Sequence, residues 1–376
     1  VKPGFYAHIP FCQSKCSYCH FVSYPYEEFL ASRYEKALIC EIERTSIAND
    51  YGEADTIYLG GGTPSLVARD SINRILTAFR SRFHITDDCE ISLEANPGTL
   101  SKEKIEAFRR IGINRISLGA QSFADQELAA IGRLHTSKMI YEALVDLKEG
   151  GFHNVNMDLM LGLPLQTKAS WRRNLNIISR LNIPHISIYM LDLDDPCPLS
   201  NAVAKGEISI PEDDMVSDLY IETIEFLSSR GYQQYEISNF AQPGYTCRHN
   251  SKYWLRDPVI GFGLASHSFD GNSRWANKSL LEDYFDAIEN GKNAELWRET
   301  VSCLQALQET LFLGLRMTRG IDWNILCNRF GEDNLARYTE YTRQLLSQNL
   351  MRNENGIVQL TPAGMLLSNE IFQHFV

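Results

Sequence analysis

Three cysteines, Cys12, Cys16 and Cys19, form a Cys-x3-Cys-x2-Cys run directly after a strand-like segment. Soft thiolates at this spacing suit zinc or an iron–sulfur cluster. A structural zinc site usually takes four protein ligands, often from two paired-cysteine motifs. No fourth cysteine lies nearby, and His20 adjoins Cys19 too closely for both to turn easily to one metal. Three thiolates suit a [4Fe–4S] cluster with one iron left open to an exogenous ligand. The other six cysteines, Cys40, Cys89, Cys197, Cys247, Cys303 and Cys327, are scattered. A secreted disulfide framework would be shorter, denser and usually even in number. The pattern reads as a cytoplasmic protein with reduced thiols and one cysteine-based site, in which Cys40, Cys89, Cys303 and Cys327 are buried small hydrophobes.

Elements that could position such a site recur along the chain. Strand-like runs at 5–9, 56–59, 90–95, 115–119, 154–159 and 185–191 are rich in β-branched and aromatic residues and end in turn residues. Helical stretches lie between them, at 28–44, 65–82, 101–111, 137–149, 170–181 and 212–229; Leu30, Tyr34, Leu38 and Ile42 make one stripe on the first. The alternation predicts six βα units, hence a doubly wound sheet or a partial barrel. Polar or glycine-rich motifs follow five strands: His8-Ile9-Pro10-Phe11-Cys12, Gly60-Gly61-Gly62-Thr63-Pro64, Glu94-Ala95-Asn96-Pro97, Gly119-Ala120-Gln121-Ser122, and Asp158 leading to Gly162-Leu163-Pro164. The C-terminal rim of parallel strands is where sites assemble in such folds. His8, just before the cysteine loop, is placed to hydrogen-bond a thiolate sulfur and tune the site. Beyond residue 232 the pattern changes. Residues 235–254 read as a polar, aromatic loop, 301–347 as helical, and 356–361 as a β-ribbon before a last helix. This predicts segments 1–232, 233–300 and 301–376, the last helical and winged-helix-like.

Composition narrows the class. The 376 residues carry a formal charge of −11 with 44% hydrophobic content. That is ordinary globular composition, neither collagen-like nor disordered. No apolar run approaches the ~18 residues of a membrane span, and residues 1–5 hold no apolar signal core. The acidic balance argues against a nucleic-acid binder.

The cysteine spacing and the rim motifs resemble the radical S-adenosylmethionine (radical SAM) superfamily over residues 5–200. The resemblance implies an α/β fold with a partial (β/α)6, TIM-like barrel as its core. It also implies that the open iron is chelated by the amino and carboxylate groups of S-adenosylmethionine, and that one electron from the cluster cleaves its C–S bond to a 5′-deoxyadenosyl radical. The residues fit the parts of that ligand. The backbone of Gly61, Gly62 and Thr63 can approach the methionyl part because glycine lacks a Cβ. Arg133 offers a planar fork for the carboxylate. Glu94 and Asp158 can accept from ribose hydroxyls, Gln121 can donate and accept, and Tyr6 and Tyr18 flank the cysteine loop. A lone Glu, Gln or Arg is ordinarily a solvated surface residue; placement inside these motifs reverses that expectation.

A closer resemblance is to the oxygen-independent coproporphyrinogen III dehydrogenase (HemN-like) group. It is carried by Tyr6 to Cys12, Tyr58 to Pro64, Gly132-Arg133-Leu134-His135-Thr136, Asn156 to Leu159 with Gly162 to Pro164, and Leu360-Thr361-Pro362-Ala363-Gly364. Two departures point away from the dehydrogenase, though SAM cleavage stays open. Dehydrogenases carry a further Cys two residues after the third, where this chain has Phe21, and they have a longer segment before the cluster. Both departures, with Gln234-Tyr235-Glu236-Ile237-Ser238-Asn239-Phe240 and His249-Asn250-Ser251-Lys252-Tyr253-Trp254, resemble the haem-chaperone branch of the group. The latter run is the HNxxYW motif associated with haem in that branch. His249 could ligate iron, with Cys247 and His267 as alternatives; Tyr253 and Trp254 offer flat faces to a porphyrin, and Lys252 and Arg248 could pair with propionates. The blander reading has Tyr253 and Trp254 packed under the barrel and His249 capping a loop. The implied partners are haem, a haem-acceptor protein (respiratory proteins being candidates), and an electron donor for the cluster. The implied location is cytoplasmic, reaching a membrane face only through partners.

Overall fold

The computed structural model describes residues 1–46 and 53–376. The chain opens with β1 (Gly4–Ile9), followed by β2 (Phe11–Cys12) and β3 (Tyr24–Pro25), whose short pairing ties together the two ends of the cysteine loop. β4 (Ala54–Gly61), β5 (Ile85–Ala95), β6 (Arg115–Gln121), β7 (Asn154–Leu161) and β8 (His185–Met190) then join β1 in chain order, all parallel. The sheet continues at both ends. β9 (Gln233–Glu236) and β10 (Asn239–Ala241) add antiparallel strands beyond β8. β11 (Val259–Phe262) pairs parallel with β1, and β12 (His267–Phe269), β13 (Ser273–Asn277) and β14 (Glu295–Thr300) extend that side antiparallel. Among the described residues, the twelve-stranded order runs from β14 to β9 without joining them. β1 and β4 to β8, the six parallel strands joined in chain order, form the partial (β/α)6 barrel. A second sheet of β15 (Ile321–Asp322), β16 (Met351–Glu354) and β17 (Ile357–Leu360) packs with the C-terminal helices; its hairpin turns through Asn355 and Gly356, both at positive φ, the pattern favoured by two-residue hairpins.

The sequence pattern accounts for the crossovers. Helix Glu28–Arg44 buries Tyr34, Leu38 and Ile42, with Glu28 in its first turn and Arg44 in its last, matching the helix dipole. Helix Lys168–Leu181 starts with a Thr167/Ser170 capping box and buries Trp171, whose Nε1 donates to Thr223 at 2.8 Å. An aromatic knot of Phe5, Phe79, Phe83 and Phe262 fastens helix Arg69–Arg82 over β1 and β11. Among the cysteines expected to be buried, Cys89 is buried, Cys40 and Cys327 are half-buried, and Cys303 is exposed. Cys303 departs from expectation because it opens the helix Cys303–Arg316 directly after the capping Ser302, where side chains point to solvent.

Residues 235–254, expected as a loop, contain β9, β10 and the helix Arg248–Leu255. The helix escapes a hydrophobic-period reading because its inward residues are His249 and Lys252. It sits at the N-terminal end of the barrel strands, since His249 Nδ1 is 2.9 Å from Thr56 Oγ1 near the start of β4. His249 Nε2 is 3.2 Å from the Tyr253 hydroxyl, its ring stacks on Tyr58, and its backbone N–H donates to Glu90. Burial, with the Lys252 and Arg115 charges nearby, holds its imidazole down at about 3.

Two predictions follow from this packing. Phe79→Ala should cost about 3–5 kcal/mol, seen as a lower denaturant midpoint with unchanged slope; an unmoved midpoint would show that the knot does not hold the fold. His249 has a folded value below its unfolded one, so its contribution to stability is complete above about 6.5 and fades as pH falls toward about 3. In that window stability should drop by up to ~1.4 kcal/mol per pH unit for this one proton. His249→Gln should flatten the profile of melting temperature against pH, and an equally steep profile would refute the assignment.

Candidate functional site

The C-terminal rim of the parallel strands is built around a close approach. The end of β4 hydrogen-bonds to the start of the cysteine loop, Gly62 N–H to Ile9 O at 2.9 Å and Thr63 N–H to Phe11 O at 2.8 Å. A Cβ on Gly62 would lie 2.7 Å from Phe11 O; one on Gly61, whose φ is +113°, would lie 2.5 Å from the His8 ring. These glycines therefore admit the cysteine loop itself, a reason for them that differs from ligand approach alone. His8 does not hydrogen-bond a sulfur as expected: its Nε2 meets Val22 O at 2.9 Å and its Nδ1 meets the Tyr6 hydroxyl at 3.0 Å. It acts as a strut between β1 and the far side of the loop. Tyr6 stacks on Tyr58 rather than on the loop.

Cys12, Cys16 and Cys19 are free, half-buried thiols on this loop. Burial pushes the thiols of Cys12 and Cys19 up. Among the described residues, no group of three or more His, Cys, Asp or Glu side chains converges as ligands of one ion would. Thiolates on separate corners of a cluster stand further apart than ligands sharing one metal. A hydrogen-bonded chain leads away from Cys12. Thr63 Oγ1 donates to its sulfur at 3.6 Å, Asn96 Nδ2 donates to Thr63 at 3.0 Å, and Arg133 donates to Asn96 Oδ1 and to the Tyr18 hydroxyl, each at 2.8 Å. Arg133 Nε is buried with no partner among the described residues. An orphaned donor on a fixed guanidinium fits an incoming carboxylate. Cys16, Thr63, Asn96 and Arg133 line one cavity of about 200 Å³.

Deeper in the rim, Glu94 accepts from the Tyr58 hydroxyl at 2.9 Å and the Gly61 N–H at 3.0 Å. Burial, then the neighbouring Asp158 charge, pushes its carboxyl up to about 7. Asp158 is raised by burial too, against hydrogen bonds from Asn156 at 2.7 Å and Ser117 at 3.0 Å. Gln121 closes β6 in the left-handed region at φ +65°, a strained position of the kind found at functional sites. A Cβ on Gly119 would lie 2.9 Å from Asn96 Oδ1 and 3.1 Å from Gln121 Nε2, so that glycine makes room for both.

At the opposite end of the strands, the haem candidates divide. Tyr253, Trp254 and His267 line a cavity of about 490 Å³ between helix Arg248–Leu255, β12 and helix Cys303–Arg316. His249 and Cys247 stay outside it. Cys247 is fully buried, caps the helix by accepting from Asn250 N–H at 3.4 Å, and donates to Glu90 at 3.7 Å; burial pushes its thiol up to about 12. Arg248 pairs with Asp55 and Asp88, and Lys252 pairs with Asp55 and Lys2 O, so neither is a free partner for propionates. Sequence reasoning passes over Asn96, although it lies in the Glu94-Ala95-Asn96-Pro97 motif. It also misses Arg256, Arg274 and Glu309, which meet only through tertiary folding and leave no local signal.

The chain matches the "Radical SAM superfamily" family model over residues 6–178 and the "HemN C-terminal domain" model over residues 301–367. It is 32% identical to "Heme chaperone HemW" of Bacillus subtilis, covering 99% of this chain and 98% of that protein. The protein of the same name from Lactococcus lactis is also 32% identical, covering 99% of this chain and 96% of that one. The solved coproporphyrinogen III oxidase (HemN) of Escherichia coli superposes with a TM-score of 0.87 at 24% identity, covering 100% of this chain and 90% of that one. That likeness shows the fold. Radical SAM proteins take S-adenosylmethionine and a [4Fe–4S] cluster, and the free cysteine triad and the orphaned Arg133 donor fit both. The chain belongs to the HemW family of the radical SAM superfamily.

Proposed function

We propose that this protein is a haem chaperone: it binds haem and transfers it to an acceptor protein, under the control of a [4Fe–4S] cluster and S-adenosylmethionine at the barrel mouth. The observation that carries this reading is identity along the whole chain to proteins named heme chaperones. Phe21 supports it, standing where the dehydrogenase branch has a further cysteine and exposing 68% of its surface on the cysteine loop. Cys12, Cys16 and Cys19 hold the cluster. Arg133, fixed by Asn96 and Tyr18, receives the methionyl carboxylate, Gly61 to Thr63 border that part, and Glu94 and Asp158 receive the ribose hydroxyls near Gln121. When bound, cluster and S-adenosylmethionine supply one-electron chemistry; the chain's own residues orient the ligand and bury the site. An electron donor and the haem acceptor are its protein partners. Among the described residues, no helix is long and apolar enough to cross a membrane.

After anaerobic cluster reconstitution, hemin should bind and coproporphyrinogen III should remain unconverted in the same sample. Protoporphyrinogen formed over many turnovers would overturn the chaperone reading in favour of the dehydrogenase. Cys16→Ala should lose the broad visible absorbance and the iron content of the cluster; retention of both would refute the ligand set. Arg133→Lys keeps the charge but loses the fork. Loss of a charge-assisted hydrogen bond, about 1.5–3 kcal/mol, predicts roughly 10- to 100-fold weaker S-adenosylmethionine binding by calorimetry. Unchanged affinity would remove Arg133 from the site.

A further inference from the structure

We propose that haem occupies the cavity between helix Arg248–Leu255, β12 and helix Cys303–Arg316, with His267 as its iron ligand and His249 as a structural residue. The assignment rests on the haem-chaperone reading and gives it a location. The cavity measures about 490 Å³, within the ~300–1,000 Å³ range of sites that enclose cofactor-sized molecules. Trp254, Phe312 and Leu313 supply apolar walls, and Arg316 lies over the Trp254 ring at 4.4 Å, holding it in place. Trp254 Nε1 is buried with no partner among the described residues, an open donor on an otherwise apolar wall.

Two arginines beside the apolar walls offer hydrogen bonds to an acidic ligand. Arg256 and Arg274 both bind Glu309, through hydrogen bonds of 2.7–2.9 Å. Glu309 and Asp257 balance the two guanidiniums in formal charge, so what the cavity offers a ligand is the N–H groups of Arg256 and Arg274 that are not spent on Glu309. Haem is flat and apolar with two carboxylates on one edge, and its propionates suit those donors.

The iron needs a neutral imidazole that solvent and ligand can reach. His267 is exposed on β12, its ring lies 6.0 Å from Trp297, and no hydrogen bond engages its nitrogens among the described residues. Partial desolvation against the cavity wall, then the Arg274 charge, lowers its pKa, which favours the free base. His249 lacks these qualities. It is 1% exposed, and Thr56 and Tyr253 occupy its two nitrogens. Bringing it to an iron would require opening the floor of the barrel.

The test is a hemin titration of the full-length, reconstituted protein, read by visible absorbance. His267→Ala should weaken binding at least tenfold and lose the spectrum of histidine-ligated iron, and added imidazole should restore that spectrum. Wild-type affinity and spectrum in His267→Ala would overturn the assignment. The dimethyl ester of hemin, which lacks the propionate charges, should bind at least tenfold more weakly than hemin; equal binding would refute the role given to Arg256 and Arg274. No hemin binding by the wild-type protein would instead sink the chaperone reading itself, so the two failures are distinguishable.

Discussion

The contact on which the rim depends is backbone against backbone. The glycine step that ends β4 lies so close to the cysteine loop that a methyl group at Gly62 would meet Phe11 O at 2.7 Å. That closeness lets Thr63 reach the Cys12 sulfur. From Thr63 the hydrogen bonds run through Asn96 to Arg133 and Tyr18, so β4, β5 and the loop after β6 are indexed to the cysteines. His8 fixes the far side of the loop through Val22. The loop thus depends on few side chains for its position, and the side chains that face the ligand depend on the loop. Preorganisation of this kind is what a bound cofactor needs from its protein.

The two ends of the barrel are physically joined. Tyr58 donates to Glu94 at the rim and stacks on His249 at the floor, and His249 reaches Tyr253, which borders the large cavity. A second route crosses the interior. Asn156 donates to Asp158, His185 and Ser187 meet Asn156, and Ser187 donates to Asn239, which meets Glu236. Glu236 pairs with Arg316, which covers Trp254. Buried polar networks of this density are rigid when satisfied. The interior is therefore a hydrogen-bonded column, and it links the mouth of the barrel to its base.

Much of the rim was legible in the sequence because its residues sit in short motifs at the ends of strands whose period is plain. Helix Glu28–Arg44 was readable to the residue, since its apolar stripe repeats every four positions. The base was not. The helix Arg248–Leu255 turns His249 and Lys252 inward, so its buried face is polar and its period is silent. His249 lies buried between Thr56 and Tyr253, a setting that no local pattern announces. The Arg256, Glu309 and Arg274 cluster joins residues 53 and 35 positions apart, and no local pattern records such a meeting.

Arg316 reaches from the helix Cys303–Arg316 to a carboxylate with no exposed surface. This bears on how freely the C-terminal segment could be exchanged. A barrel cut before residue 301 would lose the cation paired with Glu236 and also the strand contact of Glu236 with Met317. Replacing Arg316 alone, with the rest of the segment still covering Glu236, would cost ~3–5 kcal/mol, a large share of the ~5–15 kcal/mol that holds most domains folded. The segment matched by its own family model is thus tied to the barrel through a buried charge. A domain recruited from a relative would have to bring an arginine to the same place.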